Sequence, residues 1–331
     1  MDNQEFDFIA IGDITTDAFI RIKEANVHCQ VNKEECQICM RFGDKIPYES
    51  VTVVPAVGNS PNAAVSAARL GLKSGLVSNL GADRNGEEAL AALAQNQVDA
   101  RFVKQHANKP TNYHYVLWYH DDRTILIKHE EYEYELPDIG TPKWIYLSSL
   151  GENSLPFQHA IAKYVGERPG IKLAFQPGTF QIKSSEELAD VYGVTEIFFC
   201  NVEESRRILK STETEIIPLL QGVSALGPKV VVITDGPRGA YAYQNGEAWF
   251  MPPYPDPKPP LERTGAGDSF ASTFTAALAL GKTIPEALRW GPINSMSVVQ
   301  NIGAQAGLLP RAALETYLAN APTDYEAKKI L

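Results

Sequence analysis

Short apolar runs bounded by turn residues alternate along the chain with stretches whose apolar residues recur at helical spacing. That is the pattern of a mainly parallel sheet covered by helices. Phe6 to Ile11 predicts a first strand, Ser60 to Leu70 an Ala-rich helix stopped by Gly71, Gly75 to Leu80 a strand and Gly86 to Ala94 a helix. Strands follow at Trp144 to Leu147, Lys172 to Phe175, Glu196 to Cys200 and Val230 to Thr234, with helices between. Ala240 to Tyr243 and Ala248 to Met251 read as a late hairpin, and a Pro-rich connector, Pro252 to Pro260, leads to helices at Asp268 to Leu280, Ile284 to Val299 and Arg311 to Leu318. Thr111 to Trp118 and Thr124 to Lys128 form a further hairpin around His120-Asp-Asp-Arg123. With no repeat and no long linker, the expectation is one α/β unit over residues 1–331, carrying a small β-rich lid drawn from about 18–56 and 111–129.

Composition narrows the class. A chain of 331 residues with 44% hydrophobic and 21% charged positions fits a globular enzyme rather than a disordered or fibrous chain. The net charge of -10 sets it against a phosphate backbone, so no nucleic-acid partner is expected. Met1 to Phe6 is acidic and polar and no apolar run reaches spanning length, which predicts a cytoplasmic protein with no membrane partner. Four cysteines fit a reducing compartment. Cys200 sits in an apolar run and reads as core, whereas Cys29, Cys36 and Cys39 beside His28 are either a zinc site or packed thiols.

The chemistry concentrates in Arg263-Thr-Gly-Ala-Gly-Asp-Ser-Phe270, where small residues precede a carboxylate at the start of an amphipathic helix. Small residues let backbone N–H groups approach an anion, and a helix N-terminus attracts negative charge. Asp268 is there a helix cap by default, expected to stay ionised. Asn201-Val-Glu-Glu204 follows an apolar strand, at the edge where ligands bind in open α/β sheets, although the same four residues equally make a capping box. Val230 to Gly239 is a buried strand running into a Gly-containing turn. Gly12-Asp-Ile-Thr-Thr-Asp17 follows the first strand, and its two carboxylates suit a polyol because each accepts charge-assisted hydrogen bonds from hydroxyls. The absence there of Gly-x-Gly-x-x-Gly argues against a nicotinamide dehydrogenase.

Together these segments resemble the signature of the ribokinase-like, or PfkB, family of carbohydrate and nucleoside kinases, over nearly the whole chain. The resemblance implies a three-layer α/β/α fold with a mostly parallel central sheet and a β lid. It implies ATP and magnesium as cofactors, with Asp268 taking the acceptor's proton while the N–H groups of Gly265, Ala266 and Gly267 hold charge on the moving phosphate. Asn201 and Glu204 would organise magnesium, Glu204 through water; Thr234, Gly236, Gly239 and Thr264 would meet the nucleotide, and Asn301 to Gly303 the adenine and, in some members, a monovalent cation such as potassium. The acceptor would lie against Asp17, with Asp13 beside it, and against Gly58, Asn59 and Asn62, under a lid whose Tyr113 and Tyr115 face the substrate. Gly81-Ala-Asp-Arg-Asn-Gly86 resembles a structural turn of the family, and a homodimer through the lid is expected.

Three departures stand out. Val57-Gly58 replaces paired glycines, and the stretch between Asp17 and Gly58 is long. Glu262-Arg263-Thr264 replaces an Asp-Thr pattern, so either the glutamate offers oxygen to a cation or Arg263 replaces the cation's charge. The function expected is ATP-dependent phosphorylation of a primary hydroxyl of a sugar, the alternatives being a nucleoside kinase of the same fold and a non-catalytic sugar- or nucleotide-binding regulator. A sugar phosphate would need a basic pocket from Arg123, Lys128 or Arg41.

Overall fold

The computed structural model describes residues 6–29, 36–120 and 122–331. Among these, the parallel part of the central sheet runs β7 (Asp99–His106), β6 (Ser74–Gly81), β1 (Phe8–Ile11), β10 (Trp144–Leu147), β11 (Lys172–Phe175), β12 (Thr195–Asn201) and β13 (Val230–Thr234). β14 (Ala240–Gln244), β15 (Glu247–Met251) and β16 (Lys328–Lys329) extend it antiparallel.

Burial on both faces explains the unbroken apolar runs of these strands. Phe8 and Ala10 of β1 pack with helices α1 (Asn59–Arg69), α2 (Arg84–Gln95), α8 (Ala266–Ala279), α9 (Ile284–Val298) and α10 (Arg311–Ala319). Ile9 and Ile11 point the other way, into a core shared with α3 (Leu155–Gly166), α4 (Thr179–Lys183), α5 (Ala189–Val194), α6 (Val202–Leu209) and α7 (Ile216–Ser224). The expected three layers are present.

The lid is a separate sheet in the order β5 (Tyr48–Val57), β2 (Thr15–Ile22), β8 (Tyr113–Tyr119) and β9 (Asp122–Leu126). β2 leaves the first βα turn and pairs parallel with β8, so the acceptor motif and the lid hairpin share one sheet. The Gly81 to Gly86 turn is structural as expected: Asp83 caps α2 through Gly86 N (2.9 Å) and accepts from Thr111 N (2.9 Å) and Thr111 Oγ1 (2.6 Å).

The extra length between Asp17 and Gly58 forms a two-stranded ribbon, β3 (Asn26–Cys29) and β4 (Cys36–Cys39), with Cys29 and Cys36 in register. Cys36 is disulfide-bonded, which corrects the picture of a thiolate zinc site, while Cys39 and the buried Cys200 are free thiols. Among the described residues no group of His, Cys, Asp and Glu is placed to hold a metal ion by three or more ligands. No described helix is long and apolar enough to cross a membrane.

Candidate active site

The carboxyl ends of β1, β10, β11, β12 and β13 deliver Asp13, Ser149, Gln176, Asn201 and Thr234 to one edge of the sheet, the edge where open α/β sheets bind ligands. Asp13 is held there by Tyr134, whose hydroxyl donates to both carboxylate oxygens (2.9 and 3.0 Å) and accepts from Gly151 N (2.9 Å). Burial, then the negative charge of Asp13, push the Tyr134 phenol above its usual value, so it stays a donor. Gly58 makes this corner passable: its φ is 121° and a Cβ would stand 2.6 Å from Asp13 O.

Asp17 lies on β2, and the parallel register sets His114 of β8 opposite it. His114 Nδ1 is 3.4 Å from Asp17 Oδ1, and His129 Nδ1 is 3.4 Å from Asp13 Oδ2. The two imidazoles lie 5.1 Å apart between centroids, and the edge of His129 or Phe180 meets the other's face at 6.1 Å. Asp17 Oδ1, His114 Nε2 and His129 Nδ1 are buried without a hydrogen-bond partner. Polar atoms left so in a cavity wall are disposed toward a ligand.

These groups surround a cavity of about 270 Å³, lined also by Gly58, Asn59, Asn62, Thr264 and Asp268, with Ile125 and Ile127 from the lid side. The structure thus gathers the acceptor candidates Asp13, Asp17, Gly58, Asn59 and Asn62 around the expected base. It does not bring Tyr113 and Tyr115 there. Side chains alternate along β8, and the face carrying His114, Val116 and Trp118 turns inward, leaving Tyr115 48% exposed.

Asp268, expected as the base, is not the helix cap that is the default for an aspartate at a helix start. The residue at the start of α8 is Gly265, with φ 80°, and Asp268 does not cap the helix. Its oxygens instead accept from Asn62 Nδ2 (2.9 Å, Oδ2) and Gln176 Nε2 (3.0 Å, Oδ1). Burial pushes its pKa above the usual carboxylate range; those two hydrogen bonds and the Arg123 charge pull it back in part, and Asp17 adds to the rise. The helix N-terminus is therefore outweighed by desolvation.

The loop before it is tightly built. A Cβ on Gly265 would stand 2.3 Å from Ala304 Cβ, whereas one on Gly267 would meet nothing within 4 Å, so there is open space at that residue. Glu262, almost fully buried, accepts from Thr264 N (2.6 Å) and from the Thr264 hydroxyl. Arg123 of β9 stands beside it, Nε 3.5 Å from Oε1. The guanidinium at this carboxylate comes from the lid and not from the exposed Arg263, which corrects that part of the reading.

On the nucleotide side, Asn201 and Glu204 form the capping box: Asn201 Oδ1 accepts from Glu204 N (2.8 Å) and Glu204 Oε2 from Asn201 N (2.9 Å). Burial raises the Glu204 pKa, the Asn201 N–H and Arg207 lower it, and Asp268 raises it, so the two carboxylates feel one another. Thr234 pairs with Asn201 in register, and Gly236 (φ 52°) and Gly239 (φ 110°) turn the chain beyond it. Asn301 Nδ2 donates to Ser297 O (3.0 Å), and Gly303 packs against Phe19 and Val54 of the lid.

His114, His129, Tyr134 and Gln176 are site residues that the motifs did not single out, and Arg123 was named only for a sugar-phosphate pocket. Gln176 alone carried a local signal, a polar residue directly after an apolar strand.

A family model described as pfkB family carbohydrate kinase matches residues 21–312. The 5-dehydro-2-deoxygluconokinase of Bacillus subtilis (strain 168) is 29% identical over 285 residues, 76% of this chain and 83% of that protein. A nucleoside kinase of Methanothermobacter thermautotrophicus is 26% identical over 255 residues, 76% of this chain and 80% of that protein. The Arabidopsis thaliana ribokinase complexed with ribose and ATP superimposes with a TM-score of 0.78 at 22% identity, over 95% of this chain and 99% of that one. With the family match spanning most of the chain and the ribokinase fold shared, the chain belongs to the pfkB family of carbohydrate kinases.

Proposed function

We propose that the enzyme moves the γ-phosphoryl group of ATP to a primary hydroxyl of a neutral sugar or related polyol, with Asp268 as general base. The observation that carries this reading is the charge of the cavity: Asp13, Asp17 and Asp268 line it, and among the described residues no Lys or Arg does. The cations a phosphorylated acceptor would need are held by carboxylates, Arg123 near enough to Asp268 for its charge to lower that pKa. Lys128 pairs with Glu130 (2.8 Å), Arg41 with Asp44 (3.8 Å), and Arg123 faces Glu262 (3.5 Å).

Asp17 and Asp13 accept hydrogen bonds from acceptor hydroxyls, and the unpartnered nitrogens of His114 and His129 take further ones. The reacting hydroxyl points at Asp268, which receives its proton late, because phosphoryl transfer has a loose transition state and depends chiefly on positioning and charge. N–H groups of Gly265, Ala266 and Gly267 hold the phosphoryl oxygens, the role that small residues at a helix N-terminus permit. The lid strands β8 and β9 cover the cavity and exclude water.

Magnesium suits the Glu204 side: a half-buried carboxyl whose pKa is raised by burial, with Asp268's charge adding to the rise, gains from a cation, and with one oxygen on Asn201 N it would hold the ion through water. Bound with the nucleotide, the ion would neutralise phosphate charge. Potassium is left out of this reading, because the Arg123 guanidinium already stands at Glu262.

The reading includes a homodimer through the lid. On its outer face Val53, Ala18, Tyr115 and Leu126 lie side by side across four strands, with Val53, Tyr115 and Leu126 each about half exposed. An apolar row of this kind favours a partner sheet.

ATP turnover over free sugars, polyols, sugar phosphates and nucleosides tests the acceptor class. The proposal expects a neutral sugar or polyol to give the highest kcat/KM. Preference for a sugar phosphate would overturn the charge argument, and preference for a nucleoside would select the other branch of the fold.

A further inference from the structure

The hydrogen bonds behind Asp268 run in one direction only. Ala56 O is a carbonyl that can only accept, so the Gln305 atom 2.7 Å from it is the amide nitrogen Nε2. The same nitrogen lies 3.0 Å from Asn62, which must present Oδ1. That leaves Asn62 Nδ2 for Asp268 Oδ2, at 2.9 Å. On the other side Tyr146 donates to Gln176 Oε1, leaving Gln176 Nε2 for Asp268 Oδ1 at 3.0 Å. Both oxygens of Asp268 therefore receive N–H donors, an arrangement that favours the carboxylate over the acid.

The far end of the chain is anchored. Ala56 is buried with φ 58°, a backbone region costly for a residue with a Cβ, and this conformation accompanies the carbonyl's contact with Gln305. Arg69 Nη1 donates to Gln305 O (2.7 Å) and Leu308 O (2.8 Å), while its Nε and Nη2 hold Asn96 Oδ1 (3.1 and 2.8 Å). The turn that carries Gln305 is thus tied to the end of α1, the helix that begins beside Asn62.

We propose that Gln305 is a positioning residue for the base: through Asn62 it fixes the direction of the hydrogen bond at Asp268 Oδ2, whereas at Oδ1 the Tyr146 hydroxyl, able to donate or accept, supports Gln176 without fixing it. This rests on the reading of Asp268 as base. The relay opposes burial, keeping a desolvated carboxyl ionised and its free lone pairs turned to the cavity. The other charged or titratable groups facing Asp268 are Asp17 of β2, Arg123 of β9, Glu204 of α6 and Tyr146 of β10, with Asp13, His114 and His129 around the cavity. Gln305 itself carries none of these charges.

The test is the titration of the Asp268 carboxyl in the full chain by ¹³C NMR with labelled aspartate, its signal assigned by loss in Asp268→Asn. Wild type is compared with Gln305→Glu, Gln305→Met and Tyr146→Phe, with circular dichroism to confirm folding and kcat measured against pH in parallel. Gln305→Met frees Asn62 without adding a charge, and its midpoint should rise by up to about one pH unit, which is about tenfold in ionised base on the acid side; a purely structural role lowers stability and leaves the midpoint where it is. Gln305→Glu also removes the donor to Ala56 O and adds a negative charge that raises the midpoint on its own, so its shift should be the larger of the two. An upward shift in Gln305→Met carries the proposal whether or not Gln305→Glu folds. Wild-type midpoints in the folded variants overturn it. A wild type that titrates as described but turns over no acceptor would retain the relay and remove the kinase assignment of this site.

Discussion

Replacing Gly265 by alanine puts a methyl group at φ 80° and 2.3 Å from Ala304 Cβ, with Ala304 Cα at 2.6 Å. The left-handed backbone costs a residue with a Cβ about 1–2 kcal/mol. Carbon atoms rest about 3.5–4.0 Å apart, so more than ~1 Å must be found between the two segments. Neither side is free to give. The loop is the start of α8, three residues before Asp268, and Ala304 precedes Gln305, which holds Asn62. A displacement of about 1 Å at a reacting centre costs about 10²-fold, and loss of one anion-hole donor about 10²–10³-fold. Gly265→Ala should therefore lower kcat by about 10²-fold or more while the melting temperature falls only a few degrees. The assay is the initial rate at saturating ATP and acceptor, with thermal melts followed by circular dichroism. Ala304→Gly added to Gly265→Ala should recover part of the rate, because it removes the nearer contact. A folded Gly265→Ala enzyme with wild-type kcat would refute the placement of the anion loop.

Four further outcomes follow from the geometry. Asp17→Asn should raise the acceptor KM about 10- to 100-fold, the value of a hydrogen bond to a charged group, and leave the ATP KM unchanged; steady-state kinetics in both substrates would show an effect on ATP alone if the placement were wrong. Because the Asp268 pKa is raised, chiefly by burial, kcat should fall on the acid side at a pH above the ordinary carboxylate value. Arg123→Gln should move that limb higher still, since the Arg123 charge lowers this pKa. The sign for stability is the reverse: a raised folded-state pKa contributes stability below the unfolded value that is lost as pH rises through the raised one. Leu126→Glu on the outer lid face should give a monomer in sedimentation, and an unchanged assembly would place the interface elsewhere.

The layers of the fold were legible because each parallel strand, buried on both faces, is an apolar run of its own, as at Trp144–Leu147 and Val230–Thr234, where predicted and observed bounds coincide. β7 was not, and β2 and β5 were expected only as unbounded parts of a β-rich lid within about 18–56. They are half-exposed or polar on one face, and β2 is hidden inside a motif that reads as a turn. In the site, glycines and carboxylates next to strand ends carried a local signal. The histidines did not, since only the parallel register of β2 with β8 sets His114 against Asp17. The choice of Tyr113 and Tyr115 followed the aromatic residues and so the wrong parity of the strand. Asp268 was found, but its environment depends on Asn62 and Gln176, 206 and 92 residues away in sequence. No local rule for helix N-termini contains that desolvation.

The most direct test of the central claim compares wild type with Asp268→Asn for acceptor-dependent ATP consumption and phosphorylated product, using the best neutral acceptor. Loss of the base should lower kcat by about 10²–10⁴-fold, with acceptor and ATP KM values within a few-fold and the protein still folded. Full turnover by a folded Asp268→Asn enzyme would contradict the account.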